Sequence, residues 1–220
     1  MSVPHRELVD PMFGHPKLRA ANNARVYWSR ANALSQWQKG SGWQVAMYGG
    51  VQTGDDWAAM FVPVKELDIA GQDSFGRKPT RWSYYMTNAE TFGLNIVIWV
   101  HDPNDGSKRA EITQRGQASG LGKASGWNSH TFNPETDQMF FSGENTGDSD
   151  LTAGTDYTWA EFQADVMFKT WTIYRISIEC GWQASGTFEE AWLAEFMLNG
   201  TRILLEPREG DLVPVKQKKT

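Results

Sequence analysis

Apolar and polar residues alternate with a period of two along much of this chain, and this period is typical of β-strands rather than helices. The segment of residues 174–180 is a clear example. Tyr174, Ile176, Ile178 and Cys180 would share one face of a strand, opposite the polar positions between them. The pattern predicts a strand with one buried face.

The last third of the chain, residues 159–207, predicts four consecutive antiparallel strands that form a β-meander. The final two would join at Asn199-Gly200, because a two-residue type I′ turn needs positive φ at both central positions. Across this hairpin the predicted apolar face is made of Trp192, Ala194, Phe196, Leu198, Ile203 and Leu205.

The first of these four strands has a competing interpretation. Residues 162–168 alternate between apolar and polar side chains, which favours a strand. Thr158 and Glu161 match a capping box, which would instead begin a helix. We favour the strand, because the alternation covers more residues than the cap.

Further strands are predicted where apolar runs follow turn residues, at 43–47, 57–64, 82–86, 95–101, 128–132 and 138–142. The run 95–101 is apolar on both faces and indicates a central strand. The segment of residues 25–37 is ambiguous: Val26-Tyr27-Trp28 favours a strand, while residues 29–38 could form a short helix.

The ends of the chain lack either period. Pro4, Pro11 and Pro16 interrupt residues 1–23, which we interpret as an extended arm, and residues 209–220 as a C-terminal tail. Between them, residues 24–208 predict one domain, since all-β domains of this size are often single. The predicted fold class is all-β, an antiparallel two-sheet β-sandwich (jelly roll) with irregular arms.

The amino-acid composition limits which core and which classes of binding partner the chain can have. Eleven Trp and eleven Phe supply much of the apolar area that a sandwich core needs. A net charge of −5 disfavours a nucleic-acid groove. We expect no signal peptide and no membrane span, because the N-terminus and the remaining chain lack the required apolar runs. The lone Cys180 predicts a buried, inert thiol.

The C-terminal segment resembles concanavalin A-like (laminin G-like) jelly-roll domains. The likeness rests on residues 171–181 (Trp-Thr-Ile-Tyr-Arg-Ile-Ser-Ile-Glu-Cys-Gly), the following strand and its Asn-Gly tip. The whole chain also resembles tailed-phage virion structural proteins such as capsid decoration proteins. This resemblance implies a virion protein assembled in the host cytoplasm, without cofactor, that contacts itself or other virion proteins.

Catalytic and metal signatures are incomplete. Glu66 and Asp68 match part of the Glu-x-Asp-x-(x)-Glu motif of retaining β-glucanases, but Ala70 and Gly71 stand where the acid/base Glu belongs. We favour a strand end there and expect no enzyme. Oxygen ligands for Ca²⁺ could come from Asp148 and Asp150, although a solvated acidic loop is favoured and no metal site is predicted. The loop at residues 120–124 lacks the Gly and Ser/Thr of a phosphate-binding motif.

Three tryptophans each follow a glycine at a loop-to-strand edge and are the candidates for glycan binding: Trp43, Trp127 and Trp182. An exposed indole can stack on a sugar ring, but the same residues fit a core or a subunit interface, which we favour. We expect Trp99, Trp171 and Trp192 to fill the core.

Three functions follow, in order of preference. The first is a non-enzymatic assembly protein, a homo-oligomer whose arms contact neighbours through Met12, Phe13, Lys216 and Lys218. The second is a lectin-like carbohydrate-binding module that uses the tryptophans. The third is a glycoside hydrolase.

Overall fold

The computed structural model describes residues 12–30 and 42–208, and these residues form two antiparallel sheets packed face to face. The strands, in chain order, are β1 (Lys17–Ala21), β2 (Arg25–Arg30), β3 (Trp43–Val51), β4 (Trp57–Asp68), β5 (Arg81–Met86), β6 (Asn95–Asp102), β7 (Asp105–Gln114), β8 (Gly126–Thr131), β9 (Gln138–Glu144), β10 (Tyr157–Thr158), β11 (Thr172–Gly181), β12 (Thr187–Leu198) and β13 (Thr201–Arg202). A short helix, α1 (Trp159–Ala164), and a 3-10 turn at Phe168–Thr170 precede β11. Strand content of 52% against 5% helix confirms the predicted all-β sandwich.

One sheet has seven strands in the order β1-β4-β11-β6-β7-β9-β10, and the other has the order β2-β3-β12-β5-β8, with β13 added beside β12. The core lies between the sheets. Ile176 and Ile178 enter it from β11, and Trp82 and Tyr84 enter it from β5, all without exposed surface. Each of these strands therefore leaves its alternate positions on an outer face of the sandwich.

Most of the predicted strands are confirmed, including β6 as a central strand of its sheet. The Asn-Gly hairpin is confirmed as well, because Asn199 and Gly200 have φ of 46° and 80° and join β12 to β13. Residues 25–30 form β2, while residues 31–41 lie outside the described residues.

The predicted meander is wrong, because β11 and β12 belong to different sheets. At the end of β11, Gly181 and Trp182 take φ of 107° and 61°, and the chain leaves the seven-stranded sheet there. The following strand then pairs with β3 and β5 of the other sheet.

The predicted strand over residues 162–168 is also wrong, since α1 occupies the start of this segment. The capping box forms in full: Glu161 N donates to Thr158 Oγ1 at 3.3 Å, and Thr158 N donates to the Glu161 carboxylate at 2.7 Å. These bonds satisfy amides that a helix start otherwise leaves unpaired. No helix in the described part of the chain is long and apolar enough to cross a membrane.

Two register shifts change which side chains face the core. A shift between Ile173 and Arg175 turns both Tyr174 and Arg175 outward, so Tyr174 does not share the buried face of Ile176. Another shift in β12, between Leu193 and Glu195, leaves Leu193 and Phe196 in the core. The predicted face that combined Trp192 and Ala194 with Phe196 is therefore wrong.

The expectation that residues 1–23 hold no regular element is not met at β1. All five residues of β1 pair with β4, so the backbone bonds of a sheet edge order a segment that has no clear period of its own. Residues 1–11 and the predicted tail at 209–220 lie outside the described residues.

Candidate functional site

The outer face of the seven-stranded sheet carries a long depression that we call the outer groove. Four neighbouring cavities of about 610, 390, 600 and 370 Å³ form it. They share lining residues: Trp182 borders the first two, Glu111 the first three, and Arg109 the last two. The cavities are therefore parts of one continuous surface feature.

Strand register brings the central groove residues together. Arg175 on β11 pairs with Trp99 on β6, and Trp99 pairs with Glu111 on β7. These three positions form a row across the sheet with side chains on its outer face. The bulge at Ile173/Arg175 adds Tyr174 to the same face, because both residues of the irregularity point away from the core.

Two stacked indoles form one wall of the groove. The rings of Trp57 and Trp182 lie 5.9 Å apart between centroids and are nearly parallel, with an interplanar angle of 10°. Trp182 remains 48% exposed, so part of this pair is open to a ligand. Its Nε1 donates to Glu179 at 3.3 Å, which holds the ring in place.

Arg175 lies among aromatic rings. Its guanidinium carbon is 3.8 Å from the centroid of Trp99, 4.7 Å from that of Phe61 and 5.8 Å from that of Tyr174. Cation–π contacts of this kind favour the charged form, whereas burial lowers the pKa of the guanidinium. Its Nε is buried without a hydrogen-bond partner.

Two carboxyl groups line the groove beside this arginine. Glu179 is only 2% exposed, and burial together with the charge of Glu111 raises its pKa to about 7, although Ser177 Oγ donates to it at 2.5 Å. Burial also raises the pKa of Glu111, which accepts a hydrogen bond from Thr113 at 3.1 Å. Near neutral pH, Glu179 is therefore partly protonated and able to donate a hydrogen bond.

The three candidate tryptophans do not form one surface. Trp182 lies in the outer groove, whereas Trp43 on β3 and Trp127 on β8 belong to the six-stranded sheet and are separated there by β12 and β5. The guanidinium of Arg30 stands 4.0 Å over the Trp43 ring. Trp127 is 40% exposed and packs edge-on against Tyr85 at 5.6 Å.

Of the tryptophans expected in the core, only Trp171 belongs to the cluster of buried apolar side chains between the sheets. Trp99 lies in the groove, and Trp192 is buried on the outer side of the six-stranded sheet, 5.9 Å from Tyr85. Trp127, Tyr85 and Trp192 follow one another across β8, β5 and β12, and we call them the aromatic row.

The predicted assembly residues differ in exposure, and two of the four lie outside the described residues. Met12 is 43% exposed, while Phe13 is half-buried, forms a bridge to Val64 and packs against the core of its own chain. Lys216 and Lys218 lie outside the described residues.

The remaining chemical candidates lie away from the groove. Glu66 and Asp68 are exposed at the end of β4 and line none of its four cavities. Lys108 Nζ contacts Asp148 at 2.7 Å. Within residues 12–30 and 42–208, no group of three His, Cys, Asp or Glu side chains is placed to hold a metal ion.

Sequence reasoning missed Trp57, Glu111, Arg175 and Glu179 as site residues. Arg175 and Glu179 stand at polar positions of the alternating segment, so the sequence predicts that their side chains point away from the core. The bulge and the neighbouring strands, which make these residues part of a site, could not be predicted from the sequence. No family model matches the chain, and no curated protein matches it either.

Proposed function

We propose that this protein is a carbohydrate-binding module and that the outer groove holds a sugar chain. The observation that carries the proposal is the half-exposed Trp57–Trp182 stack in a continuous groove that also holds the buried Glu179 and the half-buried Arg175. Sugar rings have apolar faces of C–H groups and edges of hydroxyl groups. A site for them needs aromatic plates next to hydrogen-bonding groups.

The groove residues meet both needs. Trp182 offers its free face for stacking, and Trp99 supports the guanidinium that forms the groove floor. Arg175, Glu111 and Glu179 supply donors and acceptors for hydroxyl groups. Because charged partners strengthen hydrogen bonds, these contacts would fix the orientation of the sugar.

The shape of the groove favours a chain over a single sugar. Its cavities extend from the neighbourhood of Phe140, on β9, across β7, β6, β11 and β4 to β1. Adjacent strands lie about 4.8 Å apart, so a site that crosses several strands is long enough for more than one sugar ring. A polymer or an oligosaccharide fits such a surface.

A glycan array followed by calorimetry tests the proposal. We expect Trp182→Ala to weaken binding by about tenfold or more, since aromatic residues at the centre of a contact carry much of its free energy. Trp127→Ala is the matched control, because Trp127 also follows a glycine and is similarly exposed, but on the opposite face. Equal losses in the two variants, or no glycan binding at all, would contradict the proposal.

A second candidate, assembly into a virion or another homo-oligomer, is favoured by the aromatic row on the opposite face. Aromatic side chains are enriched in protein interfaces. Trp127 on β8 is 40% exposed, and Tyr27 on β2, at the opposite end of the same sheet, is 47% exposed. In this proposal no bond is cleaved and no cofactor is needed. The row and the predicted arm contacts, including Met12, meet neighbouring subunits.

Sedimentation equilibrium of the full chain tests this second candidate. We expect Trp127→Ala to lower the association constant, and removal of residues 1–11 and 209–220 to lower it further. Trp182→Ala is here the control that leaves association unchanged. A wild-type chain that stays monomeric at high concentration would exclude self-assembly.

A further inference from the structure

Only some of the positively charged side chains in the outer groove form salt bridges with carboxylates. At the side formed by β7 and β9, Arg109 makes two contacts with the Glu144 carboxylate at 2.9 and 3.0 Å, and Arg115 contacts Asp156 at 2.8 Å. These cations already have anionic partners. They do not require a charged ligand.

The other side of the groove has no such pairs. Lys17 and Arg19 on β1 line the same cavity as Arg175. Among described residues, no carboxylate oxygen lies within 4.0 Å of the charged nitrogens of these three side chains. Two cations at the rim and one on the floor therefore surround a space in which none of them forms a salt bridge with a described carboxylate.

Arg175 is the most constrained of the three. Its guanidinium is stacked on Trp99 and flanked by Phe61, and the adjacent Nε has no hydrogen-bond partner. Rings hold the planar group but accept no conventional hydrogen bonds from its edge. A partly desolvated charge in this state is unfavourable, and an anion that accepts its N–H groups would offset the cost.

The nearby acids do not supply that anion. Glu111 and Glu179 are close enough for their charges to raise the pKa of Arg175, but neither forms an ion pair with it. Burial raises the pKa of Glu179 to about 7, so this carboxyl carries only part of a negative charge near neutral pH. The Arg175 side of the groove is left positive, in a chain whose net charge is −5.

On the basis of the proposed carbohydrate-binding function, we propose that the ligand is an acidic glycan. A carboxylate or sulfate group on the sugar binds the Arg175 guanidinium, and Lys17 and Arg19 contact further anionic groups along the chain. The adjoining sugar ring stacks on the Trp57–Trp182 pair. A guanidinium suits this role, because its parallel N–H groups match the two oxygens of such an anion.

Calorimetry with paired polymers tests the inference and separates the two sources of the anion. Polygalacturonate is compared with its methyl ester, which removes the carboxylate charge, and dextran sulfate with dextran. We expect the wild-type protein to bind at least one charged polymer at least about tenfold more tightly than its neutral partner. Added salt should weaken the binding of that polymer.

Substitutions test whether Arg175 is responsible for the preference for charged polymers over neutral ones. Arg175→Gln should abolish it, and Arg175→Lys should retain only part, because Lys keeps the charge without the planar fork. Arg81→Gln is the matched control, since Arg81 on β5 also has a carboxylate partner, Glu195, but belongs to the other sheet and lines none of the groove cavities. Thermal melting shows whether each variant folds. If Arg175→Gln does not, the double variant Lys17→Gln/Arg19→Gln should still reduce the preference.

The possible outcomes distinguish a failure of the acidic-ligand proposal from a failure of the carbohydrate-binding function on which it rests. Equal binding of charged and neutral polymers by the wild-type protein would overturn the acidic ligand and leave the sugar groove standing. A charge preference that survives Arg175→Gln would overturn the role of this side chain. Absence of binding to all glycans would overturn both proposals together.

Discussion

The two outer faces of this sandwich are both rich in aromatic side chains, yet they differ in how the backbone presents them. On the six-stranded sheet, the aromatic row follows the strand register residue by residue, from Trp127 to Tyr85 to Trp192. On the seven-stranded sheet, a bulge directs Arg175 outward, and a positive-φ turn places Trp182 against Trp57.

This difference connects local backbone geometry to function. Direct cross-strand pairing produces a row of rings that contact each other, a surface suited to another protein. On the seven-stranded sheet, the irregular backbone places charged side chains among the rings, with cavities between them. Bulges commonly redirect side chains next to functional sites.

The largest expected effect comes from adding a methyl group at the glycine that precedes Trp182 on one face and at the glycine that precedes Trp127 on the other. A Cβ at Gly181 would collide with Asp56 O and lie 2.9 Å from Trp57 Cα, whereas a Cβ at Gly126 would meet nothing within 4 Å. Both glycines have positive φ, 107° and 97°. We expect Gly181→Ala to cost at least ~3 kcal/mol of unfolding free energy and Gly126→Ala about 1–2 kcal/mol.

Urea unfolding measures both losses. Glycan binding should also fall in Gly181→Ala, because Trp182 moves with the turn, and remain in Gly126→Ala. Similar losses of stability in the two variants would mean that the crowded turn at Gly181 relaxes freely. The groove would then not depend on that backbone.

The next effect is a dependence of stability on pH that arises on the groove face. Because burial raises the pKa of Glu179 from 4.5 to about 7, the folded state keeps its proton where the unfolded state loses it. The contribution of Glu179 to the unfolding free energy should therefore be fully present below pH 4.5 and fall by ~3 kcal/mol as pH rises to about 7. Glu111, whose pKa is also raised, acts in the same direction.

Unfolding measured from pH 4 to 8 checks this sign, with Glu179→Gln as the comparison. The variant cannot ionise, so it should lose most of the decline and exceed the wild type in stability above pH 7. A wild-type stability that instead rises through this interval would show that Glu179 is solvated.

A smaller effect is expected from Ser177, whose hydroxyl donates to Glu179 at 2.5 Å and lowers its pKa. Ser177→Ala should raise that pKa further, by about one unit, because a hydrogen bond to a charged group is lost. A carboxyl-resolved NMR titration measures the change. Ser149→Ala is the control: it removes a hydroxyl that donates to Asp165, whose charge does not act on Glu179, and should leave the Glu179 midpoint nearly unchanged.

Strands were predictable because their signal is local. The alternation around Ile176 and Ile178 corresponds to the side chains that β11 directs into the core, and the Asn-Gly pair corresponds to two positive φ values. Each feature is decided within a few residues, so no knowledge of distant partners is needed.

The helix α1 shows where two local signals compete. Phe162 and Phe168 are both fully buried, so their apolar character indicated burial correctly. Burial alone does not choose between strand and helix. The reciprocal hydrogen bonds of Thr158 and Glu161 select the helix, and the alternating pattern contains no information on them.

The groove was not predictable, because its parts come from strands that are distant in sequence. Trp57, Trp99, Glu111 and Arg175 meet only after β4, β11, β6 and β7 pair in this order. The Gly-Trp pattern could not separate Trp182 from Trp127 either. The stacking partner of Trp182 is Trp57, 125 residues earlier by numbering, whereas Trp127 contacts a ring of the adjacent strand.

The smallest expected effect lies on the face of the aromatic row. Tyr27 donates a hydrogen bond to Glu190, and burial together with this acceptor raises the pKa of Tyr27 to about 12. Because Tyr27 is 47% exposed, water can replace the bond, and Tyr27→Phe should cost at most about 0.5 kcal/mol. Glu190→Gln should lower the pKa of Tyr27, since the carboxylate charge is removed, and ultraviolet titration measures that shift. Neither change should alter glycan binding, because a single exposed hydrogen bond on this face supports no part of the groove. A loss of binding in Tyr27→Phe would show that the two faces are coupled through the core, and the separation of their functions would fail.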